Sequence, residues 1–216
     1  LPHYSWKRGE MKPTGIEPAF VERLLEIADL DYTYVTDFEF SGEGDPRIEA
    51  LVKEKADICI RALSINEDRK KQILFTNPYY FDGLSALVRK SDSLHTLTDL
   101  NGKRVYTLEF TSAHGWVQTN LNQSTLLTYE KFDTAFVKPE GLLLKNEIDA
   151  YVLDKSFLNE IAQQSSKLEV MSRKFTEERI GIGVIQSRPD LVFKLNQAME
   201  QMKESGEFEV YLQQLN

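Results

Sequence analysis

Ala56–Asp57–Ile58–Cys59–Ile60–Arg61–Ala62–Leu63–Ser64–Ile65–Asn66–Glu67–Asp68–Arg69, continuing through Phe75–Thr76–Asn77–Pro78–Tyr79–Tyr80, is the stretch on which the reading of this chain turns. Ile58 and Ile60 alternate with Cys59, which predicts a short strand with one apolar side. After Arg61 the alternation breaks into a polar loop carrying a hydroxyl, Ser64, and a cation, Arg69. A guanidinium presents a planar fork of donors that matches a carboxylate, and a nearby hydroxyl completes the hydrogen bonds of such an anion. Taken alone, the same residues also describe an ordinary exposed loop. The surrounding chain has to decide.

On the N-terminal side, Glu17–Pro18 opens a helix with proline in its first turn, and Phe20, Leu24 and Ile27–Ala28 follow at helical spacing. Tyr32–Val35 reads as a strand, Phe40–Asp45 as a polar glycine-bearing loop, and Pro46 as the start of a helix running to Lys55. On the C-terminal side the predicted strands are Leu84–Val88, Lys103–Leu108, Leu126–Glu130, Asp149–Leu153, Lys167–Met171 and Ile180–Ile185. Between and after them, helices are predicted from Thr111 to about Asn120, over Asp133–Leu144 and Asp154–Gln164, and finally over Pro189–Met202 and Phe208–Leu215. Strands alternating with helices predict an α/β protein with parallel sheets covered by helices. The middle of the chain reads as a complete unit, so two lobes are expected: residues 1–84 with 184–216, and an inserted lobe of residues 85–183.

Composition agrees with a globular chain. Its 216 residues suffice for a sizeable core, and 41% hydrophobic with 28% charged residues excludes a disordered chain. No apolar run approaches the roughly 18 residues a membrane helix needs. Net charge is 26 − 34 = −8, which argues against a nucleic-acid backbone as partner. Cys59 is the sole cysteine, excluding an intrachain disulfide or a multi-cysteine zinc site, and it reads as an inert thiol. Leu1–Pro2–His3–Tyr4–Ser5–Trp6 lacks the basic start and apolar core of a signal peptide, as expected either of a protein that never carried one or of a mature or trimmed chain.

Ligands of open parallel sheets bind beyond the carboxyl ends of strands. Three polar groups fall there: Ser64 with Arg69, Thr111 with Ser112, and Asp154. Arg69 and a helix start suit an anion, and Asp154 suits a cation, which together describes a zwitterion. Each group has a plainer alternative. Thr111, Ser112 and Asp154 can serve as helix caps, and Tyr4 and Trp6 as core or surface aromatics instead of a pocket wall. Catalytic patterns are weak. His3, His95 and His114 stand apart, without metal-ligand spacing, and Gly181 and Gly183 read as packing glycines. No phosphate loop or nucleophile elbow occurs. Glu109 with His114 is the one acid–base combination the pattern leaves open.

The segment Asp57–Arg69 with Phe75 and Pro78–Tyr79–Tyr80 resembles the signature of the family 3 extracellular solute-binding proteins. These are polar amino-acid receptors of ABC importers, related to the ligand-binding cores of ionotropic glutamate receptors. Gly15–Ile16–Glu17, Asp99–Leu100–Asn101–Gly102–Lys103–Arg104–Val105, Asp149–Ala150–Tyr151–Val152–Leu153–Asp154 and Gly181–Ile182–Gly183–Val184 through Gly206–Glu207–Phe208 follow the same family pattern. The resemblance implies a two-lobed periplasmic-binding-protein fold of type II, each lobe a central, mostly parallel sheet flanked by helices, joined by a two-strand hinge. It implies a non-catalytic, extracytoplasmic, monomeric receptor without cofactor or metal that closes over a small amino acid and meets a membrane ABC permease.

By the same resemblance Arg69 takes the α-carboxylate, assisted by Ser64, the backbone of Ala62, and Thr111 or Ser112. Asp154 takes the α-amino group and Tyr4 walls the cleft. Two departures stand out: the strand usual before the Pro2–Tyr4 segment is either trimmed from this sequence or lacking in the protein, and Phe110 replaces the glycine usual before the helix-start hydroxyl. Two rivals share the fold, a ligand-sensing domain of a membrane signalling protein and a cyclohexadienyl dehydratase.

Overall fold

The computed structural model describes residues 12–35, 39–128 and 138–215. Along them run α1 (Ile16–Ile27), α2 (Pro46–Val52), β1 (Ile58–Cys59), α3 (Glu67–Lys70), β2 (Leu74–Phe75), β3 (Tyr80–Asp82) and β4 (Leu84–Arg89). Next come β5 (Arg104–Tyr106), α4 (Ser112–Asn120), β6 (Thr125–Leu127), α5 (Pro139–Leu144), β7 (Ala150–Asp154), α6 (Lys155–Gln163) and β8 (Leu168–Val170). The chain closes with β9 (Glu178–Ile180), β10 (Gly183–Val184), α7 (Pro189–Ser205) and α8 (Glu207–Leu215). Among the described residues no helix is long and apolar enough to cross a membrane.

Contacts divide the chain into Leu1–Phe81 with Arg179–Asn216, and Asp82–Glu178. The sequence puts these borders after residues 84 and 183, and the shift has a reason. Leu84 already pairs with Asp154 inside the sheet of the inserted unit, whereas Gly183–Val184 lies in the sheet of the first unit, between β1 and β2. At the two crossings β3 and β9 pair with each other.

In the first unit β10 runs antiparallel to both β1 and β2. One face of this sheet packs against Phe20 and Leu24 of α1 and Leu195 and Met199 of α7. The other covers Ile48 and Leu51 of α2 with Leu63 and Ile73. Cys59 packs beside this second cluster, and burial pushes its thiol up to about 11, so it stays protonated and inert at neutral pH. A Cβ at Gly183 would stand 2.8 Å from Leu63 Cδ2, so the glycine serves packing, as its sequence context predicts. The strand predicted at Tyr32–Val35 has no sheet pairing among the described residues.

The second unit has a five-stranded sheet in the order β6-β5-β7-β4-β8. β5 is parallel to β6 and β7, while β4 is antiparallel to β7 and β8. Among the described residues the sheet is therefore mixed here, and the three paired strands of the first unit are antiparallel, where the sequence predicts mostly parallel sheets. Strand–helix–strand alternation fixes direction only where a helix makes the crossover. β4 is entered from β3 across the single residue Gly83, and β10 follows β9 with no helix between them. Gly83 is demanded by packing: a Cβ there would lie 1.9 Å from the Thr176 carbonyl oxygen.

Strand alternation gives this sheet two apolar faces. Ala150 and Val152 of β7 pack with Ala113 and Val117 of α4, and Tyr151 packs with Leu143 of α5 and Leu158 of α6. The part of the predicted helix 133–144 before Lys138 lies outside the described residues.

Candidate functional site

Arg69 sits in the one-turn helix α3, where the Asn66 side chain caps the helix by accepting its backbone N–H at 2.9 Å. Only 7% of the residue is exposed. Its guanidinium donates from Nη1 to the Ser64 carbonyl at 2.8 Å and from Nη2 to Asp45 Oδ2 at 2.9 Å. These bonds fix the plane of the fork, so the exposed-loop alternative does not hold for Arg69. Ser64 is also buried, bridging to Ile180, while Ile65 N donates to the Arg179 carbonyl at 2.8 Å.

Ala62 takes a left-handed backbone, φ 44°, unusual for a residue with a Cβ. The conformation is held by a buried acid. Ala62 N donates to Glu17 Oε1 at 2.7 Å, and Tyr79 Oη hydrogen-bonds the same oxygen. Burial first, and then the Glu17 charge, push the Tyr79 hydroxyl far above its usual range, so it remains a donor. The N–H of Ala62 is thereby committed to Glu17.

Asp45 is a residue sequence reasoning passed over as part of the polar loop. It caps α2 ahead of Pro46 and accepts Arg47 N at 3.0 Å, Arg47 Nε at 2.9 Å and Arg47 Nη2 at 2.7 Å. Burial pushes its carboxyl up, but the hydrogen bonds and charge of Arg47 and the charge of Arg69 outweigh this and hold it below the usual range. The available signal was Asp45–Pro46, a helix-start pair. That pair predicts the cap and says nothing of Arg69.

In the second unit, β5 and β7 are parallel neighbours, so Thr111, just beyond β5, and Asp154, the last residue of β7, fall at the same edge of the sheet. Thr111 does cap α4: its Oγ1 accepts His114 N at 3.3 Å and donates to the Leu108 carbonyl at 2.6 Å. Ser112 Oγ donates to Glu178 Oε2 at 3.0 Å. Asp154, 8% exposed, makes no side-chain cap bond to α6. That task falls to Asp82, whose Oδ2 accepts Ser156 N at 3.1 Å and Ser156 Oγ at 2.5 Å while Oδ1 faces Lys174 Nζ at 3.3 Å. Phe110 is left-handed at φ 60° immediately before Thr111.

The structure thus brings Arg69, Ser64 and Ala62 together in one unit, and Thr111, Ser112 and Asp154 to one sheet edge in the other. Tyr4 lies outside the described residues. Glu109 is bonded by Thr128 Oγ1 at 2.7 Å. Among the described residues no group of three or more His, Cys, Asp or Glu is arranged to hold a metal.

A family model for bacterial extracellular solute-binding proteins, family 3, matches residues 1–214. The chain is 25% identical over 208 residues to the L-cystine-binding protein TcyJ of Escherichia coli K12, covering 95% of this chain and 75% of that protein. It is 31% identical over 171 residues to the ABC transporter arginine-binding protein 1 of the same organism, covering 76% and 68%. An ancestral arginine-binding protein solved with arginine superposes with a TM-score of 0.81 at 25% identity, over 97% of this chain and 91% of that one. These neighbours have the type II periplasmic-binding-protein fold, and the named curated relatives are binding proteins. On the match across nearly all of its length, the chain belongs to the bacterial extracellular solute-binding proteins, family 3.

Proposed function

We propose that this protein binds a small α-amino acid outside the cytoplasm and delivers it to an ABC importer, acting as a monomeric receptor and not as an enzyme. The observation that carries the reading is the buried guanidinium of Arg69, oriented by the Ser64 carbonyl and Asp45 at the loop that follows β1. A buried, fixed fork of donors recognises a carboxylate. Asp154, buried and not used as a cap, takes the ammonium group, with Thr111 and Ser112 contributing hydroxyls. Relatives named for cystine, arginine and glutamine support an amino acid as the ligand class.

A thermal-shift panel of L-amino acids, matched carboxylic acids lacking the amine, and matched amines tests this, since a ligand of the folded state raises its melting temperature. Intact amino acids are expected to give the largest shifts. Arg69→Ala is expected to weaken binding by about 2–5 kcal/mol, because it leaves a desolvated carboxylate unpaired. An unmoved melting temperature across the panel, or equal affinity of wild type and Arg69→Ala by calorimetry, would remove the assignment. Prephenate and arogenate are expected to be returned unchanged. Product formation that disappears in Glu109→Gln would replace the receptor with a dehydratase.

A further inference from the structure

Arg69 touches a carboxylate of its own chain, and a ligand carboxylate would have to bind in that presence. Placed on Arg69 by itself, Asp45 would compete with the ligand, cancelling the charge and repelling a second anion. The geometry avoids this. Arg47 spans both oxygens of Asp45, Nε on Oδ1 at 2.9 Å and Nη2 on Oδ2 at 2.7 Å, a side-on pair of parallel bonds, and its backbone N adds a third at 3.0 Å. Arg69 reaches Asp45 through one bond only, Nη2 to Oδ2 at 2.9 Å. The two arginines therefore share Asp45 unequally, Arg47 side-on and Arg69 end-on.

We propose that Arg47 is a positioning residue for ligand binding: by occupying both oxygens of Asp45 it keeps that carboxylate from pairing side-on with Arg69. Arg69 is then oriented by Asp45 through a single bond, and Asp45 does not take the side-on pairing that a ligand carboxylate would use. The inference rests on the reading of Arg69 as the carboxylate-binding residue. Arg47 also donates from Nη1 to the Arg61 carbonyl at 2.8 Å, which offers a purely structural alternative role that the test must separate.

The test is a charge rescue, read by calorimetry with L-arginine, L-glutamine and L-cystine on variants shown to be folded by circular dichroism. Arg47→Gln is expected to weaken binding roughly 10- to 100-fold, as the freed Asp45 turns to Arg69. Arg47→Lys, which keeps the charge, is expected to fall between wild type and Arg47→Gln. Adding Asp45→Asn to Arg47→Gln is expected to restore affinity to within about threefold of wild type, since the competing charge is gone while Asn still caps α2. Wild-type affinity in Arg47→Gln overturns the inference. So does a double variant as weak as Arg47→Gln, which would assign Arg47 to the Arg61 carbonyl. Both results leave the receptor reading intact provided Arg69→Ala still loses binding. If Arg69→Ala binds normally, or wild type takes none of the three amino acids, the inference falls together with that reading.

Discussion

Two carboxylates of this chain, one in each unit, each receive two arginines, and the wiring is the same. Asp45 takes the backbone N–H and Nε of Arg47 on Oδ1, and the Nη2 groups of Arg47 and Arg69 on Oδ2. Asp149 takes the backbone N–H and Nε of Arg104 on Oδ2, and the Nη2 groups of Arg104 and Arg89 on Oδ1. What differs is the second arginine. Arg89 also pairs with Asp92 and donates from Nη1 to the Leu143 and Ile148 carbonyls, each at 2.6 Å. With Asp92 counted, its charges balance, and it stands where β4 ends and β7 begins, away from the edge that carries Asp154. The Asp45 cluster holds its second arginine, Arg69, by one bond at the loop after β1. One motif serves as a staple in one unit and, on our reading, as an anion receptor in the other.

The largest expected effect tests the staple. Asp149→Ala leaves Arg104 and Arg89 without their carboxylate and is expected to cost about 2–4 kcal/mol in urea unfolding. Binding of L-amino acids by the folded fraction should not change. A variant that stays stable but binds poorly would reverse the two roles. Next comes Glu17, the acid that holds the loop after β1 in the first unit. Glu17→Gln keeps an acceptor for Ala62 N but loses the charge that strengthens it, and is expected to cost about 1–2 kcal/mol by the same measurement.

Acid titration compares the two carboxylates directly. Both are held below the usual carboxylate range, Asp149 the further, because Arg104 hydrogen bonds lead the causes that lower it. A carboxyl with a depressed folded pKa contributes stability that is fully present above its unfolded value, about 4, and is lost as pH falls through the folded one. Stability is therefore expected to decline below about pH 4. Asp149→Asn should flatten that decline more than Asp45→Asn does. A steeper acid limb in Asp149→Asn than in wild type would contradict the sign.

Much of the candidate site could be proposed from the sequence because its signals are local. The break in alternation after Arg61 marks Ser64 and Arg69, and the ends of β5 and β7 mark Thr111 and Asp154. The partners that position these groups were not legible, because they come from far along the chain. Asp45 is 24 residues from Arg69, Glu17 is 45 from Ala62, and Glu178 is 66 from Ser112. Sequence spacing announces a cap but not which distant side chain a guanidinium will meet. Strand direction failed for a related reason: β4 and β10 take theirs from passage between the units, and periodicity reports only which residues face a core.

The smallest expected effect concerns the two left-handed residues beside the candidate binding groups, Ala62 at φ 44° and Phe110 at φ 60°. Glycine relieves about 1 kcal/mol or more of strain at such a position and gives back much of it as unfolded-chain entropy. Ala62→Gly is therefore expected to change stability by no more than about 0.5 kcal/mol, since Glu17 already holds the loop. Phe110→Gly gains the same relief and loses the contacts of a half-buried ring, so its net change should also stay within about 1 kcal/mol. Binding is where the two should part. Phe110 adds bulk directly before Thr111, and its removal is expected to admit larger amino acids in a calorimetric panel, whereas Ala62→Gly should leave the ranking of ligands unchanged. An unaltered ranking in Phe110→Gly would place the ring outside the ligand's reach and leave its left-handed backbone as a feature of the α4 entrance alone.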